Sequence, residues 1–399
     1  MFEGKNVVLG VTGSIAAYKA VDLASKLTQK GLAVDVVMTR AALEFVTALS
    51  FRSVTHRPVV TDMWELSTEF SVEHVALAER ADVVVIAPAT ASTIAKLAVG
   101  IADEMLTCVV LATRAPVIVA PAMDVGMYSN AVTQENLAKL RSRGFTIVGP
   151  GYGHLASGLV GTGRLVETED VMGAILQVLG RKGDLAEKQV VVSAGGTREP
   201  VDLVRYIGNR SSGKMGYAIA EAARDRGAIV TLVSTVVDLP APAGVELMPV
   251  ETALEMRDAV LKASAAADVL IMAAAVADYR PAKAATGKIK REAETLTLDL
   301  VKTPDILSEV KGDIIKVGFA AESGDLIDRA REKLERKKLD LIAVNDITAE
   351  GSGFGTDTNR MTLIDREGKV EELPLMSKRD VAHKILDRVV ALLGRTEAF

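Results

Sequence analysis

Gln189-Val-Val-Val-Ser-Ala-Gly-Gly-Thr-Arg-Glu-Pro-Val-Asp202 and, two residues on, Arg205-Tyr-Ile-Gly-Asn-Arg-Ser-Ser-Gly-Lys-Met-Gly216 decide the fold. Gln189 to Val192 reads as a strand, and Tyr217 to Arg226 reads as a helix. Between them runs a loop rich in Gly and Ser. Strand, Gly-rich loop and helix form the unit with which α/β proteins hold phosphorylated ligands, because glycines let backbone N–H groups close on a phosphate. The chain opens with a second such unit, Val7-Val-Leu-Gly-Val-Thr-Gly-Ser-Ile15, followed by a helix-like run to Lys30. Two openings imply two sites and leave room for two reactions.

The surrounding sequence extends both units. Val7–Val11, Val34–Met38, Asp82–Ala87, Pro116–Ala120 and Thr146–Gly149 are short Val/Ile-rich runs, the pattern of strands buried on both faces of a parallel sheet. Helical stripes lie between them: Tyr18, Val21, Ala24 and Leu27, then Ile94, Leu97 and Ile101. The polar stretch Gly180–Gln189 reads as the end of a first domain, 1–189. A second, 190–399, repeats the alternation with strands near Val190–Ser193, Ile229–Ser234, Val269–Ala273, Lys316–Ala320 and Leu341–Asn345. It closes with a β-hairpin, Asn359–Asp365 and Val370–Leu375, and a helix capped by Ser377. The expected class is α/β: two doubly wound, mostly parallel Rossmann-like domains.

Bulk properties narrow the function. At 399 residues the chain exceeds what one core organises. A net charge of −5 and 4% aromatics argue against nucleic-acid partners. No apolar run reaches membrane-spanning length. A single cysteine, Cys108, forbids intramolecular disulfides and reads as a core residue of a cytosolic (cytoplasmic) protein.

In the first half, Gly10-Val-Thr-Gly-Ser-Ile15 lacks the Gly-x-Gly-x-x-Gly dinucleotide fingerprint, so it reads either as a phosphate site or as a tight turn. Ala87-Pro-Ala-Thr-Ala91 ends a strand, where open α/β sheets bind ligands and small residues admit a flat ring; Pro88 also reads as a strand terminator. His74, in the helix-like Ser71–Glu79, is a structural histidine or a catalytic one.

Gly-Ser-Ile-Ala-Ala-Tyr-Lys (13–19), His74, Ala-Pro-Ala-Thr-Ala (87–91), Pro-Ala-Met-Asp-Val-Gly-Met-Tyr (121–128) and Gly-Thr-Gly-Arg (161–164) together resemble the FMN-dependent cysteine decarboxylases. That resemblance implies a flavodoxin-like domain with FMN at Gly13, Ser14, Ile15, Thr39, Pro88, Ala89, Thr90 and Ala91. It makes His74 a catalytic residue. Two positions depart from the family pattern: Asp124 stands where asparagine is usual, and Ser157 where well-known members have a proton-donating cysteine. A serine is a poor acid near neutrality, so Asp124, with its pKa raised by burial, is expected behind Ser157 as proton donor, with His154 as the other candidate.

In the second half, Ala273-Ala-Ala-Val-Ala-Asp-Tyr-Arg-Pro281 combines small residues with one carboxylate, Asp278, at a strand end. Lys288-Ile-Lys-Arg291 supplies cations for phosphate or an exposed charged loop, and Lys333 and Lys337 share a helix face. With Gly-Gly-Thr-Arg-Glu-Pro (195–200), Asn-Arg-Ser-Ser-Gly-Lys-Met-Gly (209–216) and Thr-Pro-Asp-Ile (303–306), these pieces resemble the phosphopantothenate–cysteine ligases. The two resemblances cover nearly the whole chain and together point to the bifunctional flavoproteins of coenzyme A biosynthesis.

They imply ligation of cysteine to phosphopantothenate through an acyl-cytidylate, then decarboxylation to 4′-phosphopantetheine. Carried over, Ala273, Ala274, Asp278, Lys288, Pro304, Asp305, Ile306, Leu307, Phe319, Lys333 and Lys337 hold CTP, with Mg²⁺ arriving on the nucleotide, and Asn209 contacts the acyl-cytidylate. Trimers of the flavin domain and dimers of the ligase domain are expected. Two other readings stand beside this one: a nicotinamide-dependent reductase, disfavoured by the missing fingerprint, and a ligase whose flavin half is only regulatory or structural, or acts on another cysteine-type substrate.

Overall fold

The computed structural model describes residues 2–64, 73–236, 238–290, 295–322, 326–346 and 355–396. The chain divides into two compact units, Met1–Leu179 and Gly180–Phe399.

The first unit is built on six parallel strands, in spatial order Val59–Val60, Ala33–Met38, Asn6–Val11, Val83–Ala89, Val117–Pro121 and Thr146–Ile147. Without the two-residue edge strand, the remaining five run 2-1-3-4-5 in chain order, the flavodoxin-like arrangement. Their Val/Ile runs have helices on both sides. Val7, Leu9 and Val11 pack with helix Ala17–Gln29 on one face. Val8, Val84 and Ile86 pack with Ala91–Val99 and Met105–Ala112 on the other.

Two helical stripes differ from expectation. Helix Ala17–Gln29 buries Ala17, Ala20, Leu23, Ala24 and Leu27, whereas Tyr18 is exposed. Helix Ala91–Val99 ends at Gly100 in the left-handed conformation, so Ile101 lies beyond it and is exposed. Small alanines rather than the aromatic face the sheet, because the helix lies close to it.

The main sheet of the second unit has eight strands among the described residues. Glu246–Pro249, Ile229–Ser234, Gln189–Ala194, Val269–Met272, Ile315–Glu322 and Leu341–Asp346 are parallel, and Thr358–Asp365 and Val370–Ser377 close the edge antiparallel. Helices Lys214–Asp225 and Lys378–Thr396 cover one face through Ile219, Ala223, Val381, Ile385 and Val389. The Ser377 hydroxyl accepts from the Asp380 N–H at 3.1 Å, which is the expected cap. The units part at Leu179/Gly180, ten residues before the expected boundary. The cause is Leu185, which is fully buried in the second core, and Asp184, which pairs with Arg226 at 2.5 Å. Among the described residues no helix is long and apolar enough to cross a membrane.

Candidate functional sites

In each sheet the chain reverses direction of winding between its first strand and the next on the other side, and a crevice opens outside the strand ends at that point. In the first unit this is the gap between Asn6–Val11 and Val83–Ala89. Thr12 bridges it: its hydroxyl donates to the Pro88 carbonyl at 2.7 Å and accepts from the Thr90 N–H at 3.0 Å. Thr90 then caps helix Ala91–Val99.

A cavity of about 430 Å³ lies here, lined by Gly13, Ser14, Ile15, Thr90 and Ala91, all expected, with Tyr18, Lys19, Met127 and Arg164 added. Its size suits a cofactor-sized ligand. Small residues leave room for a planar ring system, and Lys19 and Arg164 offer positive charge, both held by Glu167 at 3.0 and 2.9 Å. Thr39, Pro88 and Ala89 do not line it. Each is buried: Thr39 caps the turn Arg40–Glu44, and Pro88 and Ala89 belong to the strand end. His74 sits half-buried in the first turn of helix Glu73–Arg80 and is likewise absent from the lining.

The far wall carries Asp124, His154 and Ser157. Residues 151–164 form a hairpin of Gly151–His154 and Val160–Arg164 with Ser157 in its turn. Gly163 lets the hairpin dock: its carbonyl accepts from the Met123 N–H at 2.9 Å, and a Cβ there would stand 2.3 Å from the Met123 oxygen. Docking brings the Ser157 hydroxyl onto Asp124 Oδ2 at 2.5 Å, while Asp124 Oδ1 accepts from the Gly126 N–H at 3.0 Å as cap of helix Val125–Ser129.

These donors, Ser157 first, hold the Asp124 carboxyl below its ordinary range. The expected upward shift is therefore corrected. Asp124 is only half-buried and accepts two hydrogen bonds, so it is an ionised acceptor rather than a proton donor. Cys108 is half-buried rather than fully buried, donates to the Ala102 carbonyl at 3.3 Å and lies off the cavity.

In the second unit the reversal lies between Gln189–Ala194 and Val269–Met272. Loops 193–197 and 273–278 are laced together here. Ala274 N–H donates to the Ser193 hydroxyl at 3.1 Å, and Ala277 N–H donates to the Thr197 hydroxyl at 3.0 Å. A cavity of about 500 Å³ is lined by Ala274, Asp278, Pro304, Asp305, Ile306, Leu307, Phe319, Lys333 and Lys337, all expected. Lys302 and Arg336 were missed. Arg336 follows Lys333 at i+3, so the helical spacing carried a signal for it.

Four cations, Lys302, Lys333, Arg336 and Lys337, face two carboxylates, Asp278 and Asp305, in this lining, an excess suited to a polyphosphate. Lys333 donates to the Phe319 carbonyl at 2.8 Å, and Lys337 pairs with Asp305 at 3.1 Å. Burial works against ionisation of Asp305, yet Lys337 and Ser308 hold its carboxyl below the usual range.

An adjoining cavity shares Ala274, Val276, Asp278, Phe319 and Lys333 and adds Ala273 and Asn209, whose amide donates to the Val276 carbonyl at 3.2 Å. Lys288 lines neither cavity: it is exposed on the loop after strand Tyr279–Pro281. Arg291 lies outside the described residues. Among the described residues no cluster of three His, Cys, Asp or Glu could hold a metal ion.

Residues 1–180 match the Flavoprotein family, and residues 185–393 match the DNA/pantothenate metabolism flavoprotein C-terminal domain. Three bacterial relatives, each called coenzyme A biosynthesis bifunctional protein CoaBC, match end to end. The Vibrio vulnificus protein is 46% identical over 397 residues, 98% of each chain. The Bacillus subtilis protein is 45% identical over 402 residues, 99% of each. The Escherichia coli protein is 44% identical over 396 residues, 97% of each. With both crevices in place and both halves matched at this identity, the chain belongs to the family of bifunctional coenzyme A biosynthesis flavoproteins.

Proposed function

We infer that the chain is a bifunctional enzyme of coenzyme A biosynthesis. Unit 180–399 joins cysteine to phosphopantothenate with CTP through an acyl-cytidylate. Unit 1–179 decarboxylates the product, 4′-phosphopantothenoylcysteine, to 4′-phosphopantetheine. The observation that carries this reading is likeness across both units, at 44–46% identity, to proteins whose name states that pathway and two functions. A purely regulatory flavin half is disfavoured, since the likeness to these bifunctional proteins spans that half as well.

In the first unit FMN fits the cavity of Gly13, Ser14, Ile15, Thr90 and Ala91. When bound it supplies reversible oxidation of the substrate thiol, the electron sink that loss of CO₂ requires. The chain's own residues bind and orient the substrate. Arg164 and Lys19 offer countercharge, and Ser157 presents its lone pairs, its proton being engaged by Asp124. His74, read as the catalytic histidine, would act from a neighbouring copy in a trimer of this unit.

In the second unit the carboxylate must approach a triphosphate. Each like-charge pair at 4 Å costs about 4 kcal/mol at an effective dielectric near 20. Lys302, Lys333, Arg336 and Lys337 offset this, with Mg²⁺ arriving on the nucleotide and Lys288 closing from its loop. Exposed Leu203, Val204, Tyr206, Leu300 and Val301 on two small hairpins support dimers of this unit.

The test is incubation of the FMN-loaded chain with phosphopantothenate, cysteine, Mg²⁺ and CTP or ATP, followed by mass analysis. 4′-Phosphopantetheine forming with CTP is expected. Absence of any nucleotide-dependent product would overturn the reading.

A further inference from the structure

We propose that Asp202 is a positioning residue for Lys288: its carboxylate, with Arg205, clamps the backbone of Ile289 and so fixes the loop that carries the lysine. The proposal rests on the reading of Lys288 as a triphosphate contact. The observation behind it is a closed ring across 87 residues of sequence. Ile289 N–H donates to Asp202 Oδ2 at 3.1 Å. Arg205 Nη2 donates to the Ile289 carbonyl at 3.0 Å and to Asp202 Oδ2 at 2.5 Å. Both backbone polar groups of Ile289, one from each of the two peptides that flank its Cα, are thus held, and the neighbouring residues are Lys288 and Lys290.

The clamp is rigid for electrostatic reasons. The Asp202 side chain is fully buried, yet it accepts from the N–H groups of Val204 and Arg205, both at 2.8 Å, besides Ile289 and the guanidinium. Arg205 before all, then these backbone donors, hold its carboxyl far below the usual range, so it is ionised whenever the protein is folded. Elsewhere the loop is lightly tethered. Ala285 N–H donates to the Val201 carbonyl at 2.9 Å, in the same turn as Asp202. Residues 286–288 are exposed, and Lys288 makes no hydrogen bond among the described residues. The backbone point from which the Lys288 side chain reaches out is therefore set by the held backbone of Ile289. The turn of Asp202 leads through strand Tyr206–Gly208 into Asn209, so one carboxylate ties the acyl-cytidylate residue to the triphosphate lysine.

The experiment is a double-mutant cycle in the full-length, FMN-loaded chain, reading pyrophosphate release from CTP and phosphopantothenate. Asp202→Ala is expected to lower kcat/KM for CTP by roughly 10- to 100-fold, mostly through KM, since a misplaced cation loses binding geometry. Lys288→Gln combined with Asp202→Ala is expected to be no worse than Lys288→Gln alone, because the two act as one unit. Trypsin is expected to cut at Lys288 and Lys290 faster in Asp202→Ala. Asp202→Asn keeps an acceptor for Ile289 and should fall between; it carries the cycle if the alanine variant does not fold. Losses that multiply in the double variant, or unchanged cleavage with unchanged KM, overturn the proposal. Parental kinetics of Lys288→Gln would remove the triphosphate role itself, a failure told apart because faster cleavage of Asp202→Ala would persist.

Discussion

The hydroxyl proton of Ser157 is committed to Asp124 at 2.5 Å, and that commitment decides what this corner of the flavin-unit cavity can do. An ionised Asp124 offers negative charge to any ligand carboxylate, and a serine so bonded accepts rather than donates. Asp124→Asn removes the charge while keeping the shape. About 1 kcal/mol of repulsion at 4 Å in a water-like setting corresponds to a roughly fivefold lower KM for the cysteine-amide substrate, measured by CO₂ release. An unchanged KM would show that the substrate carboxylate lies elsewhere. The pH behaviour follows from the sign. A carboxyl held below its ordinary value keeps its contact above that value and loses it only as pH falls through the lowered one. Asp124 should therefore put no limb on the rate profile near neutrality. Sequence singled out both residues, because they break a pattern. It misjudged the direction of the shift, because whether a carboxylate is buried dry or capped by donors depends on the docked hairpin.

Helix Lys378–Thr396 carries His383, the only histidine in residues 180–399. Burial first, then the charges of Arg379 and Arg226, push its pKa below the ordinary value. An imidazole depressed in the folded state is neutral there while the unfolded chain still takes up the proton near pH 6.5. Stability from this group is full above that pH and declines as pH falls through 6.5 toward the lowered value. The urea midpoint of residues 180–399 should fall between pH 7 and pH 5, and His383→Asn should flatten the slope. An equal slope in the variant would assign the dependence to other groups. At this scale the sequence was most readable. The expected central strands and the closing hairpin are found within one or two residues, because period and apolar runs are local properties. Strands such as Val59–Val60 and Arg198–Pro200 escaped, being too short to show a period.

For the whole molecule, the boundary has a measurable consequence. Residues 180–189 read as the end of the first domain, yet Leu185 is fully buried in the second core, Asp184 pairs with the buried Arg226, and a Cβ on Gly180 would stand 2.1 Å from the Asp225 backbone oxygen. A fragment of residues 190–399 should melt below one of residues 180–399. Loss of one buried leucine costs about 2–5 kcal/mol, or roughly 4–20 °C at this size. Equal melting temperatures would show that the stretch contributes nothing to the second unit.

By itself the sequence determined the α/β class, the two strand–loop–helix openings, many of the residues that line the second unit's cavity and the family. All of these rest on local pattern: apolar runs that must be buried, glycines at strand ends, and motifs contiguous in the chain. The tertiary structure alone decided which of those residues meet. It left His74 and Lys288 outside the cavities, moved Thr39, Pro88 and Ala89 into the framework, added Arg336 and Lys302, and joined Ser157 to Asp124 and Asp202 to Ile289. These outcomes depend on contacts between residues 33 and 87 positions apart. Such contacts are set by how strands order and hairpins dock, which no stretch of sequence encodes on its own.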